Sequence, residues 1–176
     1  MNQKLLKKLP RYCVTALICA MIAMPAAPSW ASYSAGSGAS TGSATKATAV
    51  GDNAKAIRND STAIGDGAQA GESSSALGRD SDASGGASIA IGYSSSANES
   101  FAAAIGTLAQ ATSADATAIG GGAEATHQNS VALGYYSSTT AADQVSIGKY
   151  NGGVWTTTRT LVGLKSSIQV MTGSTF

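Results

Sequence analysis

The tightest constraint on this chain is a dipeptide that returns on a fixed period. A branched apolar residue followed by glycine occurs at Val50-Gly51, Ile64-Gly65, Leu77-Gly78, Ile91-Gly92, Ile105-Gly106, Ile119-Gly120, Leu133-Gly134 and Ile147-Gly148. Successive copies are 14, 13, 14, 14, 14, 14 and 14 residues apart. Ala49, Ala63, Ala76, Ala90, Ala104, Ala118 and Ala132 precede the first seven, and Ser146 precedes the last. A period of this kind is the mark of one supersecondary unit stacked on its own copies. Fourteen is also two heptads, so a coiled coil must be considered. It would need large apolar residues at both seam positions with Glu and Lys flanking them. Here each unit has a Gly beside its one large residue, at a cost of about 1 kcal/mol per helical Gly relative to Ala. Ser and Thr, which favour turns and caps, fill much of the remainder. The helical reading is rejected.

Counting the apolar anchor as position 0, position −2 is often β-branched, as at Thr62, Ile89, Thr117, Val131 and Val145. Position +4 is small (Ala68, Ala109 and Ala123, with Ser81, Ser95 and Ser137), and +6 is Ala70, Ala83, Ala97, Ala111 and Ala125. Carrying the strand alternation straight through the unit puts the even positions inside. Gly at +1 and a variable residue at +2 then form a turn between two short strands. Charged and variable residues at +2, +5 and +7 onwards read as outward. The prediction is a flat two-stranded coil, one per unit, stacked in parallel at roughly 4.8 Å per step into a rod roughly 34 Å long. One Ile or Leu per coil is expected inside, faced by Ala from the opposite strand. The Ala at −1 is expected outside, in a stripe of small residues that suits packing against another copy. A lone rod would be marginal, because one large side chain contributes ~1.5–3 kcal/mol against ~1–2 kcal/mol of backbone entropy per residue. An oligomer is therefore expected.

The front of the chain reads differently. Lys4, Lys7, Lys8 and Arg11 precede the apolar run Tyr12 to Met24, which Pro25 and Pro28 follow. The run is short for a membrane span. With Ser29 and Ala31 at −3 and −1, residues 1–31 read as a secretory signal peptide cleaved after Ala31. Both cysteines, Cys13 and Cys19, lie within it, so the exported chain has no disulfide framework or thiolate site. Seven basic and ten acidic residues remain, a balance of −3 that offers no electrostatic case for nucleic acid or anionic lipid. Residues 32–48, rich in Ser, Gly and Ala, are either a degenerate first coil or a linker, and their composition favours the linker.

Asn129-Ser130-Val131-Ala132-Leu133-Gly134-Tyr135-Tyr136-Ser137 is similar to the head motif Asn-Ser-Val-Ala-Ile-Gly-x-x-Ser of YadA-like trimeric autotransporter adhesins, and Ala116-Thr117-Ala118-Ile119-Gly120 is a looser version. The resemblance covers residues 49–148. It implies an all-β fold, a left-handed parallel β-roll (β-solenoid) assembled as a homotrimer. It also implies a bacterial cell-surface adhesin head that attaches to host extracellular matrix, such as collagen, or to like cells. The family continues into a neck, a coiled-coil stalk and a C-terminal membrane anchor. Residues 149–176 hold a neck-like start, Arg159 to Lys165, but no heptads and no four-strand anchor. The alternation of Ile168, Val170, Thr172 and Phe176 makes at most one strand, and a membrane barrel must close. Membrane anchoring would then depend on parts absent from this chain. A truncated product, a fragment, and a head displayed by a partner all remain open. The alternative function is a structural β-solenoid without adhesive activity of its own.

Catalytic chemistry finds few residues to work with. His127 is the single histidine, so neither a triad nor a histidine metal cluster can be assembled in the usual way. Gly120-Gly121-Gly122 lacks the Lys and Ser/Thr of a phosphate loop. Asp66, Asp80 and Asp82 do not follow the calcium-binding repeat. Asn59-Asp60-Ser61 and Asn98-Glu99-Ser100 read as turns. No enzyme activity, cofactor or metal is expected. An ice-binding lattice would need one Thr column, whereas position −2 varies. The candidate ligand contacts are Tyr93, Tyr135 and Tyr136, with Asn129, Ser130 and Val131 of the best-matching motif. The tyrosines either anchor a partner or shield the turn of the adjacent coil. Trp155 is expected to pack where the roll ends.

Overall fold

A computed structural model describes residues 32–151, 154–157 and 159–160. Three-residue strands at Tyr33–Ala35, Thr48–Val50, Thr62–Ile64, Ser75–Leu77, Ile89–Ile91, Ala103–Ile105, Thr117–Ile119 and Val131–Leu133, closed by Val145–Ser146, form one nine-stranded sheet in chain order. Two-residue strands at Lys55–Ala56, Gln69–Ala70, Asp82–Ala83, Ser96–Ala97, Gln110–Ala111 and Glu124–Ala125 form a second sheet of six. Within both, each strand pairs in parallel with its copy in the next coil, anchor on anchor: Val50 with Ile64, Ile64 with Leu77, and so on to Ile119 with Leu133. The chain is a parallel β-roll, and no helix occurs among the described residues. The roll begins before the first full anchor. Tyr33–Ala35 pairs in register with Thr48–Val50, so this part of 32–48 is a coil rather than a linker.

The core lies between the sheets and overturns one expectation. The buried positions are −3, −1, +4 and +6, four small residues per coil. In one coil they are Ala102, Ala104, Ala109 and Ala111; in another, Ser88, Ala90, Ser95 and Ala97. Among the described residues, no side chain larger than serine is fully buried. The anchor itself points outward, with Ile64, Ile91, Ile105 and Ile119 each 37% exposed. Ala at −1, expected outside, is buried at every anchor from Ala49 to Ala132. Position −2 also faces out. The inward assignment of +4 and +6 agrees with the structure, as does the outward one of +2 and +5.

The reason for the inversion is the turn. Alternation holds within a strand, but the three residues after each anchor do not continue it. Gly at +1 has φ of +114 to +137 in seven coils from Gly51 to Gly134, and the residue at +3 is left-handed as well, as at Asn53, Asp80, Ser94, Leu108 and Tyr136. Inward positions therefore run −3, −1, then +4, +6, with an odd step across the bend. A second left-handed residue closes each coil at −4: Lys46, Asp60, Ser73, Ala87, Phe101, Asp115, Asn129 and Asp143. The +1 glycine is also required by space. A Cβ on Gly106 would lie 2.6 Å from the carbonyl of Gly120 one coil on, and the same contact recurs along the column.

Serine replaces alanine in the core without leaving an unpaired hydroxyl. Ser81, Ser95 and Ser137 donate to the carbonyls of Gly78, Gly92 and Gly134 at 2.8, 3.0 and 2.8 Å, three residues back in the turn. Buried hydroxyls are tolerated when bonded in this way. The backbone supplies the rest of the cohesion. Gly106 N–H donates to Ile91 O at 2.7 Å, Ala103 to Ala116 O at 2.8 Å and Gln110 to Ala123 O at 2.8 Å, and equivalents recur in the other coils.

After the last coil, Lys149–Asn151 pairs with Val154–Thr157 in an antiparallel hairpin. Beyond it, the Arg159 guanidinium donates to Tyr135 O at 2.6 Å and to Ile147 O. Along the rest of the roll, carbonyls at these positions accept N–H groups of the next coil. Residues 1–31, read as a signal peptide, the neck-like run after Thr160 and the terminal alternation lie outside the described residues, as does the side chain of Trp155.

Two substitutions separate the observed core from the expected one. Ala104→Leu should prevent folding or cost more than ~3 kcal/mol, since overpacking here meets a second backbone, while Ile105→Ala should leave the coil intact. Circular dichroism and urea unfolding of the two variants would show it. Gly106→Ala should destabilise by about 3 kcal/mol or more, from the carbonyl clash together with the strained φ, read in the same unfolding experiment.

Candidate functional site

The coil presents two walls and two turn edges, each with its own chemistry. The outward wall of the nine-stranded sheet carries positions −2 and 0. The anchors form a ladder in register, with Ile64, Leu77, Ile91, Ile105, Ile119 and Leu133 between 37 and 46% exposed. Ile89 and Val145 add to it from the neighbouring column. Contiguous exposed apolar surface of this kind marks an interaction site. The outward wall of the six-stranded sheet carries Lys55, Gln69, Asp82, Ser96, Gln110 and Glu124 in one ladder and is polar. The two walls of the roll thus differ sharply in their affinity for water.

The first turn edge, positions +1 to +3, carries Tyr93, Tyr135 and Tyr136. Arg79 and Tyr93 occupy +2 in successive coils, and the guanidinium carbon lies 4.5 Å from the ring centroid, within range of a cation–π contact. Nearer the C-terminal end, Tyr135 and Tyr136 pack edge to face with centroids 4.4 Å apart. Lys149 Nζ lies 4.6 Å from the Tyr136 centroid. The preceding coil makes room for these rings. A Cβ on Gly121 would lie 3.3 Å from Tyr135 Cδ2, and one on Gly122 2.6 Å from Tyr136 Cε1. The glycine run at 120–122 is thus a bare floor for two tyrosines. The rings cover the neighbouring turn, and Tyr135 still leaves 66% of its surface exposed. The Tyr135 phenol is held above its ordinary value, chiefly by the adjacent Tyr136, with desolvation and the side-chain hydrogen bond between them adding to it. Near neutral pH it is uncharged and offers an aromatic face with a hydrogen-bonding tip.

The remaining candidates sit elsewhere. Asn129 is on the opposite turn edge, at left-handed position −4, and its amide donates to Asp143 Oδ1 at 2.6 Å. Ser130 is fully buried, and its hydroxyl donates to His127 O at 2.6 Å and meets Thr139 Oγ1 at 3.2 Å, so it cannot touch a ligand from outside. Val131 lies on the apolar wall. The three tyrosines share one edge, and the motif triplet is divided among an edge, the core and a wall. Arg79 reads in the sequence only as an outward charge at +2, and Lys149 is not singled out there, although both stand in the column of Tyr93 and Tyr135. His127 Nδ1 lies 3.2 Å from Thr126 Oγ1 and 3.4 Å from Thr139 Oγ1. No group of three metal-capable side chains occurs among the described residues.

The family model for the YadA head domain repeat (2 copies) matches residues 43–68, 70–95, 83–109 and 111–137. The chain belongs to that family, which makes it an adhesin-type head domain. Among solved structures, the collagen-binding domain of the Yersinia adhesin YadA is similar at 23% identity over 78% of each chain, with a TM-score of 0.53. That likeness carries the fold, a β-roll. No curated protein sequence matches.

Tyr136→Phe keeps the ring and removes its ionisable hydroxyl. Ultraviolet titration should then show Tyr135 ionising lower than in the parent chain, closer to the ordinary phenol value of 10.0. An unchanged titration would mean that Tyr136 is not the cause of the shift.

Proposed function

We propose that this chain is the head of a bacterial cell-surface adhesin, that it acts as a homotrimer, and that it attaches cells to extracellular matrix protein such as collagen or to like cells. The observation that carries the reading is the exposed ladder of Ile and Leu beside a core of Ala and Ser. The large apolar residues are spent on the outside of the coil, where only another molecule can cover them. Taking the remaining exposed part of each anchor out of water would contribute on the order of 1 kcal/mol per residue, summed over a ladder of anchors. Side-by-side association of identical ladders suits a parallel rod, because each step of one copy meets the same step of the next. Family membership, and the collagen-binding activity named for the similar Yersinia domain, support adhesion.

In this reading the aromatic edge stays outside the assembly and meets the ligand. Tyr93, Tyr135 and Tyr136 are the proposed contacts, with Arg79 and Lys149 orienting two of the rings. Aromatic anchors with low conformational entropy are the usual high-energy contacts of protein interfaces. Asn129 stands on the far edge and Val131 within the apolar wall, so in the trimer Val131 would contact another copy rather than a ligand.

The exported chain should elute with the mass of three copies in light scattering. Ile105→Asp should keep the coil, by circular dichroism, and lose association. Joint replacement of Tyr93, Tyr135 and Tyr136 by Ala should leave the mass unchanged and lower retention on collagen-coated surfaces about tenfold or more, by the worth of several aromatic anchors. A monomeric parent chain would sink the trimer, and full retention by the tyrosine variant would sink the aromatic site.

A further inference from the structure

The one short coil leaves a feature on the polar wall that neither the apolar ladder nor the aromatic edge uses. Thirteen residues separate Ile64 from Leu77, against fourteen elsewhere in the repeat. The residue is lost from the second turn, which here is Gly71-Glu72-Ser73. Gly71 takes the outward +7 position with no side chain. A Cβ there would lie 2.5 Å from the carbonyl of Ser84 in the following coil, so this place in the wall stays bare. The result is a notch of ≈ 190 Å³ lined by Lys55, Ile57, Arg58, Gln69, Gly71 and Ser84, among others.

The charges in this notch are of one sign. Lys55 and Arg58 line it, and no acidic residue does. The ion pairs among the described residues are Lys46 with Asp60 and Arg79 with Asp80, so neither notch cation is neutralised by a carboxylate. Asp60, two residues beyond Arg58, pairs with Lys46 instead, and neither Glu72 nor Asp82 makes an ion pair with the notch cations. The exported chain as a whole is acidic, so this pair of unneutralised cations runs against the balance of the chain. By contrast, other hollows on the same turn edge are lined by Asp115, Asn129 and Asp143, or by Glu99. Ile57, 50% exposed, gives the notch an apolar side, and Gln69 and Ser84 give it neutral hydrogen-bonding groups. A recess lined by a lysine and an arginine suits a tetrahedral or planar oxyanion held by charge-assisted hydrogen bonds.

We infer that the notch at the short coil binds an anionic group, a sulfate or carboxylate borne on a polysaccharide chain, through Lys55 and Arg58. The notch belongs to the polar wall, so side-by-side packing through the apolar wall leaves it open. On a trimer it would occur three times, and a polymer bridging those sites would gain from multivalency. The inference goes beyond attachment to a protein and does not require it.

The test is retention of the full exported chain on immobilised heparin, which carries both groups, on dextran sulfate and on polygalacturonate, at increasing salt. Binding should weaken as salt rises. Lys55→Ala and Arg58→Ala should each reduce affinity about tenfold, as expected for losing one charge-assisted contact, with circular dichroism unchanged. Lys46→Ala, which removes a cation outside the notch, should retain binding. Preference for dextran sulfate would identify the sulfate source and preference for polygalacturonate the carboxylate source, and either supports the inference. No binding to any of the three, or equal loss in all three variants, overturns it. A chain that fails here yet still adheres to collagen would leave the proposed function standing.

Discussion

Everything in this roll follows from how close its two sheets stand. Successive strands are joined by short turns built on left-handed residues, and the space between the walls takes nothing larger than serine when fully buried. A typical domain places its large apolar side chains inside and gains stability from their burial. Here that option is closed by geometry. Cohesion comes instead from parallel ladders in which each backbone group finds the same partner one coil away, and from the close fit of alanine methyls between two backbones. Serine enters because its hydroxyl returns to a turn carbonyl three residues back, so it occupies an alanine-sized place with its polar atom satisfied.

The same closeness explains the glycine column. The bend after each anchor brings consecutive coils into backbone contact, and φ there lies where L side chains rarely go. Elsewhere the bends accept side chains at some cost. Phe101, Leu108 and Tyr136 hold left-handed conformations that are unusual for bulky residues. For Tyr136 the conformation has an evident use, since it sets the ring over Gly122 and against Tyr135. Phe101 is exposed and nothing in the structure explains its strain.

The architecture was legible because period is a property of spacing, and spacing survives whichever way side chains point. The anchors, the parallel stack, the turn at +1 and +2, and the inward +4 and +6 positions could all be read from the repeat. The facing of the anchor strand could not be read by alternation alone. Parity is reset wherever a turn contains left-handed residues, and the sequence does not announce that at +3, where Asn, Asp, Ser, Leu and Tyr all occur. Hydrophobicity pointed the same wrong way, because Ile beside Ala suggests Ile inside. The first coil was hidden for a related reason. Ala35 stands where other coils have Val, Ile or Leu, and a coil whose interior is all small residues resembles a linker in composition. Of the site, the tyrosines at +2 were visible by column, whereas Gly121 and Gly122 acquire meaning only once their neighbours one coil on are seen.

Turning the large residues outward changes what a mutation at each position can do. In a domain with a central core, the residues that hold the fold and those that recruit partners compete for the same apolar types. In this roll they are separated by strand parity. Position −1 holds the coil, position 0 lies exposed on the apolar wall, and +2 faces the surroundings from an edge that neither sheet needs for pairing. A change at +2 can therefore alter recognition without touching the ladder or the apolar wall. Asp66, Arg79, Tyr93, Thr107, Gly121 and Tyr135 all occupy that position in successive coils of one fold. The freedom is a consequence of the narrow core, since a coil stabilised by its backbone and its alanines makes few demands on the chemistry of its edges.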